Sequence, residues 1–310
     1  MWFLYKRYEL RQAFEVGVRQ LLLEASCLIT WYQQTRDIQD LQAVIVGVEA
    51  AIKAMPESHT DRAGWLDSLG DYLGSRYERT GNLQDLEAAI THGSAVVEAT
   101  PEDHPDRARW LSNLGSRLSS RYQRTGNLED LEAAIKHTKA AVEAAPENHP
   151  QRAAWLISLA HNLHERAAHI HVSDLEAAIA AFFSSWSIRT APVLVRLIAA
   201  LRAVKILTFN PLVRDLSRAC SLLHDATHLI PQATLRSLDH EDQQYILGKL
   251  AGLASLTVSV SLEAGRSPLE ALQLQELGRS ITNGQLLDYR ADISDLMEQH
   301  PALAKEFDFL

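Results

Sequence analysis

The chain has 310 residues, a formal net charge of −9 and two cysteines. Glycine (14) and proline (10) are scarce, which argues against loop-rich sandwiches, collagen-like chains and disordered linkers. Two cysteines are too few for a disulfide framework or a thiolate zinc site, and the acidic balance counts against a general nucleic-acid or anionic-membrane surface.

The first residues, Met1 to Arg7, place four apolar side chains before the charge, the reverse of a secretory signal. Residues 10–54 hold Leu21, Leu28, Tyr32 and Thr35 at places that recur later, but no repeat tryptophan at its place, and read as a degenerate repeat. From there the chain repeats openly. Trp65, Trp110 and Trp155 each begin Trp-Leu-x-x-Leu at 45-residue spacing, each preceded by Pro-Glu-x-His (Pro56, Pro101, Pro146) and by Arg-Ala (Arg62, Arg107, Arg152). A second block, Asp-Leu-Glu-Ala-Ala-Ile, starts at Asp85, Asp130 and Asp174, with a weaker copy at Asp40. Residues 56–100 and 101–145 agree at about two-thirds of positions, which is duplication.

Each unit reads as two helices. His104 or Asp103 is expected to cap the first, with Pro105 at its first position and Asp106 at the positive helix end. Leu66, Leu69, Leu73 and Tyr77 follow at helical spacing. Gly81 and Gly126 fit the left-handed position after a helix. Asn82 and Asn127 then cap the second helix, with Asp85 and Asp130 placed as in a capping box. Ala88, Ala89 and Ala95 give a small-residue face for close approach. The expected hairpins stack into a solenoid.

The fourth Asp-Leu block, at 174, follows His169-Ile170-His171 in place of the Gly-Asn turn. Beyond about 185 the strict repeat fades. Helices are expected over 192–208, 212–229, 240–264, 268–288 and 292–308. Residues 256–262 alternate like a strand, but a strand with no visible partner is unstable, so helix is the expectation there. The stretch 192–209 is interrupted by Arg196, Arg202 and Lys205 and reads as amphipathic rather than membrane-spanning. With no targeting or spanning segment evident, the expected compartment is cytoplasmic. The expected architecture is all-α, an α-solenoid of long hairpins. It comprises a degenerate repeat at 1–54, a repeat array at 55–185 and a C-terminal helical region at 186–310.

Leu66-x-x-Leu69-Gly70-x-x-Leu73 and Leu111-x-x-Leu114-Gly115-x-x-Leu118 resemble helix A of the tetratricopeptide repeat (TPR), with leucine in place of the aromatic. A standard TPR has 34 residues. Here about seven extra residues fall between the two helix patterns and about four at the Pro seam. Seven residues are about two turns, so helix A can lengthen without turning its apolar face.

The seam Pro101–Arg107, the run Arg124–Ile135 and the segments 250–279 and 286–307 resemble the region that precedes the caspase-like domain in fungal TPR–CHAT proteins. That resemblance implies a neighbouring peptidase with a catalytic His and Cys. Neither Cys27 nor Cys220 lies in such a motif, and the chain reaches Leu310 before such a domain, so a shortened or trimmed relative is expected.

Catalytic and cofactor motifs are otherwise missing from the sequence. No Gly-rich phosphate loop occurs. His161, His164, His169 and His171 nearly form a zinc helix, but His164 and His169 are five apart, about 140° out of phase. A polar helix end is the simpler reading. His224 and His228 are four apart and lack an evident third ligand. His59, His104 and His149 repeat with the seam and suit turn hydrogen bonding. Cys27 and Cys220 read as small buried residues. The tryptophans read as inter-repeat packing rather than a ligand stripe.

In TPR arrays the concave face is lined by helix A. The corresponding positions are Gly64/Arg109/Ala154, Asp67/Ser112/Ile157, Asp71/Ser116/His161 and Ser75/Ser120/Glu165. They differ between copies while the packing positions repeat, as a binding face does and as a solvated face also does. The expected function is a non-catalytic scaffold that binds a protein or peptide on this face. No enzyme activity, cofactor, nucleic acid or membrane partner is expected, and the alternative is a TPR–CHAT protein lacking its peptidase.

Overall fold

The computed structural model describes residues 2–169, 173–230 and 252–276. Their regular structure is helical, with no strand among them. The elements are α1 (Trp2–Thr35), α2 (Ile38–Ala54), α3 (Arg62–Thr80), α4 (Leu83–Ala99), α5 (Arg107–Thr125) and α6 (Leu128–Ala144). They continue with α7 (Arg152–Ala167), α8 (Ser173–Ser187), α9 (Val193–Phe209), α10 (Leu216–Leu229) and α11 (Leu253–Glu263). Residues 268–276 are also helical. The chain forms two compact units, Met1–His149 and Pro150–Leu310.

In the first unit each helix packs on the next from α1 to α6, and α3 also touches α5. In the second, α7 to α10 pack in the same order, α10 packs on α11, and α7 touches α9. Contacts between neighbours in sequence, joined by helix-A to helix-A contacts, are those of stacked hairpins. The expected helix 292–308, residues 240–251 of the expected helix 240–264 and residues 277–288 of the expected helix 268–288 lie outside the described residues.

The 45-residue unit can be read in the backbone. Helix A has 19 residues, the hairpin turn two, helix B 17, and the seam takes the rest. The additional length relative to a TPR is therefore mostly helical. Gly81 and Gly126 close helix A with φ 71° and 73°, and each N–H donates to the carbonyl four residues back, Tyr77 or Tyr122, at 2.7 Å. Asn82 and Asn127 accept from the N–H of Gln84 and Glu129 at 3.2 and 2.9 Å. The same turn persists in the degenerate first copy, where Arg36 takes the left-handed position with φ 53° and Asp37 caps α2. A left-handed arginine is strained where glycine is not.

Two expectations for helix ends need correction. Asp85 and Asp130 do not complete a capping box. Each instead holds a bidentate pair across its own hairpin: Arg76 to Asp85 at 2.7 and 2.5 Å, Arg121 to Asp130 at 2.8 and 2.5 Å. Arg166 and Asp174 repeat the clamp in the second unit at 2.6 and 3.0 Å. An ionised fork-to-carboxylate pair outcompetes a single amide bond. At the seam, neither His104 nor Asp103 caps α5. Pro101–His104 and His104–Arg107 form successive turns, so Pro105 precedes the helix and Asp106 is its N-cap residue without a side-chain cap. His59 and His104 stiffen these turns by accepting the N–H of Asp61 and Asp106 through Nδ1, at 3.2 and 3.1 Å.

The seam arginines tie consecutive hairpins together. Arg62 donates to the Ile52 carbonyl at 2.6 Å, and Arg107 to that of Val97 at 2.8 Å and to that of Thr100. Both reach ten residues back to the open C-terminal carbonyls of helix B. Arg196 does the same to Trp186 at 3.0 Å, although sequence similarity has faded there. The hairpin rule thus continues past residue 185.

The core is built from the repeated apolar positions: Leu69, Leu73, Leu86 and Ala89 in one copy, Leu114, Leu118, Leu131 and Ala134 in the next, all buried. Trp110 and Trp155 are buried, whereas Trp65 is partly buried against Leu69, Ala51 and Met55. Of the small-residue face, Ala89 is buried but Ala95 is exposed. Close approach comes instead from Gly115, where a Cβ would lie 2.6 Å from the Thr138 methyl group.

The strand-like stretch 256–262 is the helix α11. It buries Leu253, Thr257, Val260 and Ser261, an i, i+4, i+7, i+8 face. The Thr257 hydroxyl is satisfied within the helix, donating to Leu253 O at 2.8 Å. Cys220 is buried beside Ser261, but Cys27 is exposed on α1, contrary to expectation.

Candidate interaction groove

The residues expected to line one binding face have three different environments. Asp67 is 1% exposed and Ser112 is buried, so neither offers a side chain to a partner. The reason for Asp67 is electrostatic. It lies where α3 meets α5 and accepts from Arg109 at 2.8 Å, Asn113 at 3.1 and 3.2 Å, and Arg117 at 3.2 Å. Arg117, 6% exposed, also donates to the Asp67 carbonyl at 2.9 Å, Asp71 at 2.7 Å and the Ala89 carbonyl at 3.4 Å. A buried charge pair is tolerated when its remaining donors and acceptors are met, as here. Burial pushes the exposed-edge carboxyl of Asp71 up, and Arg117 opposes that shift.

Asp71 and Ser116 are exposed, and Ser75 and Ser120 are half-buried. Ser120 donates to Ser116 O at 3.1 Å. In the second unit Ile157, His161 and Glu165 are half-buried on α7. The His161 ring lies 3.5 Å from Arg202 of α9. Burial, then Arg202, lowers the His161 pKa, and Glu165 pulls it the other way. Asp67 and His161 therefore occupy corresponding seams between successive A helices. Part of the variation between copies is private pairing across these seams.

The side chains that open a groove in the first unit lie one turn nearer the helix starts. A cavity of about 390 Å³ is lined by Gly64, Trp65 and Ser68 of α3, Arg109 and Trp110 of α5, and the seam residue His104, among others. His104 stacks on Trp110, with ring centroids 4.7 Å apart at 25°. Arg109 lies 5.8 Å from the Trp110 ring centroid and 3.6 Å from Asp106. The Nε1 of Trp110 is buried and has no acceptor among the described residues. Of the positions expected on the binding face, Gly64 and Arg109 line this groove. Trp65 and Trp110, expected as inter-repeat packing, also form its aromatic wall.

The metal-binding alternatives are placed as follows. The His224 and His228 rings lie 4.4 Å apart, tilted by 37°, with His228 Nδ1 2.9 Å from the His224 carbonyl and His224 3.4 Å from Asp225. His171 lies outside the described residues. Among the described residues no group of three or more His, Cys, Asp or Glu is placed to hold a metal, and no helix is long and apolar enough to cross a membrane.

No protein-family model and no curated protein matches the chain. Among solved structures it is similar to Nro1, described as a hypoxic regulator of sterol synthesis and a nuclear import adaptor. That match is 15% identical, covers 89% of this chain and 95% of that one, and has a TM-score of 0.47. A second structure, the S. pombe nuclear import adaptor Nro1, is 15% identical, with 85% and 99% covered and a TM-score of 0.39. A de novo designed helical repeat protein is 16% identical, with 88% and 99% covered and a TM-score of 0.22. These likenesses are too slight to bear on chemistry.

Proposed function

We propose that the chain is a non-catalytic scaffold of TPR-like hairpins with lengthened A helices, binding a protein or peptide segment on the helix-A side. The observation that carries this reading is the groove between the starts of α3 and α5. It is walled by Trp65, Trp110 and His104 and has a volume of about 390 Å³. Aromatic walls with a few polar groups suit recognition. Ser75, Ser116 and Ser120 are further candidate contacts in the first unit, and Ile157, His161 and Glu165 on α7 are candidate contacts in the second. Of the residues behind the TPR–CHAT resemblance, 286–307 lie outside the described region, so the scaffold reading rests on the hairpins and their groove.

Affinity capture with the wild-type chain and with Ser68→Trp, which fills the groove, tests this. Glu87→Lys on the exposed B-helix side is the control. Partners lost with Ser68→Trp and kept with Glu87→Lys are expected. Capture indifferent to both would overturn the reading.

A further inference from the structure

Asp106, Arg109 and Trp110 form a compact set at the start of α5. The Arg109 guanidinium lies over the indole at 5.8 Å and beside the Asp106 carboxylate at 3.6 Å. A cation on an indole face with an acid next to it is attracted by both.

One repeat earlier the acid and the indole recur as Asp61 and Trp65. Their backbone relation is the same: Trp65 N–H donates to Asp61 O at 3.1 Å, as Trp110 N–H does to Asp106 O at 3.1 Å. The arginine is not repeated, and Gly64 stands at its position. A Cβ on Gly64 would meet nothing within 4 Å, and the groove opens beside it. Among the described residues the Asp61 carboxylate has no basic partner, and its contact is the Thr60 hydroxyl at 3.4 Å. Adjacent Arg62 is directed to the Ile52 carbonyl.

We propose that this part of the groove receives an arginine side chain from a peptide segment of the partner. Its guanidinium lies between Asp61 and Trp65 as Arg109 lies between Asp106 and Trp110. The inference rests on the scaffold reading and names the chemistry of its ligand. Arg109 also has buried Asp67 beneath it, whereas Leu22 holds the position one repeat before Asp67. Of the two acids that line the groove, Asp106 is held by Arg109, so Asp61 is the one left for the ligand, and the rest of the peptide supplies the remaining affinity.

The test is selection of random heptapeptides on the full chain, followed by titration of the enriched sequences. Arginine is expected at a fixed position in them. Replacing it with citrulline, which keeps the shape and removes the charge, is expected to weaken binding at least tenfold, as is Asp61→Asn. Gly64→Arg supplies the guanidinium from within, so it is expected to abolish binding with a Tm no lower than wild type. Peptides enriched without arginine, or bound equally by Gly64→Arg, would overturn the inference and leave the scaffold reading standing. No enrichment at all would count against both.

Discussion

A Cβ atom on Gly70 would lie 2.5 Å from the guanidinium carbon of Arg117. A Cβ on Gly93 would lie 2.8 Å from its Nη1. These glycines on α3 and α4 are therefore the space in which an arginine of α5 is buried. Gly70→Ala displaces Arg117 from Asp67 and is expected to cost about 2–4 kcal/mol, the loss of a buried pair less the better helix propensity of alanine. Gly74→Ala, where a Cβ meets nothing within 4 Å, is expected to add about 0.5–1 kcal/mol. Urea unfolding of both variants separates the two effects.

The strained turn residue Arg36 gives a prediction of opposite sign. Arg36→Gly relieves a left-handed conformation that Gly81 and Gly126 adopt freely, at some cost from the more flexible unfolded chain. A gain of about 0.5–1 kcal/mol is expected. Gly126→Arg is expected to lose a similar amount, read as opposite shifts of the urea midpoint.

Trp110 is 3% exposed, and Trp110→Ala is expected to cost about 3–5 kcal/mol. Trp65 is partly buried, so Trp65→Ala costs less. A thermal transition of Trp110→Ala equal to wild type would contradict the buried placement.

The hairpin clamp can be told apart from capping by its arginine. Asp130→Asn and Arg121→Met are both expected to destabilise by about 1.5–3 kcal/mol, because each removes a charged hydrogen-bonding partner. If Asp130 acted as a cap, Arg121→Met would be silent. The double variant should cost no more than the worse single one.

Stability is expected to fall as pH drops through the ordinary histidine range. Burial lowers the pKa values of His92, His137 and His161. Glu49 and Glu165 oppose the shifts of His92 and His161, while Lys136 and Arg107 reinforce that of His137. Between each lowered folded value and about 6.5 the unfolded chain binds more protons. Their contribution is complete above about pH 6.5 and is lost on acidification. Tm measured from pH 7.5 to 5 should decline, and less so after replacement of all three by asparagine.

The hairpins were legible because each local signal recurs in phase. Glycine at 81 and 126, asparagine after it and proline at the seam act within a few residues of where they stand. The clamp was hidden by a local alternative, since Asn-x-x-Asp also spells a capping box. Its signal was present, because Arg76, Arg121 and Arg166 recur at 45-residue spacing like the tryptophans. The Asp67–Arg117 pair left no such trace. Its members are 50 residues apart and neither is repeated at its counterpart positions, so free variation and private pairing look alike in one sequence. The groove fell between the two cases: its tryptophans were visible, but that Trp65 is partly exposed and Trp110 buried depends on which neighbour each helix meets.

Two neighbouring copies that agree at two-thirds of positions invite unequal recombination, and loss of one 45-residue copy would keep the reading frame and every turn. Arg117 makes the copies unequal. With residues 62–106 removed, α5 would follow α2, and Leu22 and Ser26 would stand where Asp67 and Asp71 now meet the guanidinium. Ala25 and Val48 would replace Gly70 and Gly93, closing the space it occupies. That contracted gene would encode a chain with correct helices and a stranded buried cation, so Arg117 ties its own copy to the one before it.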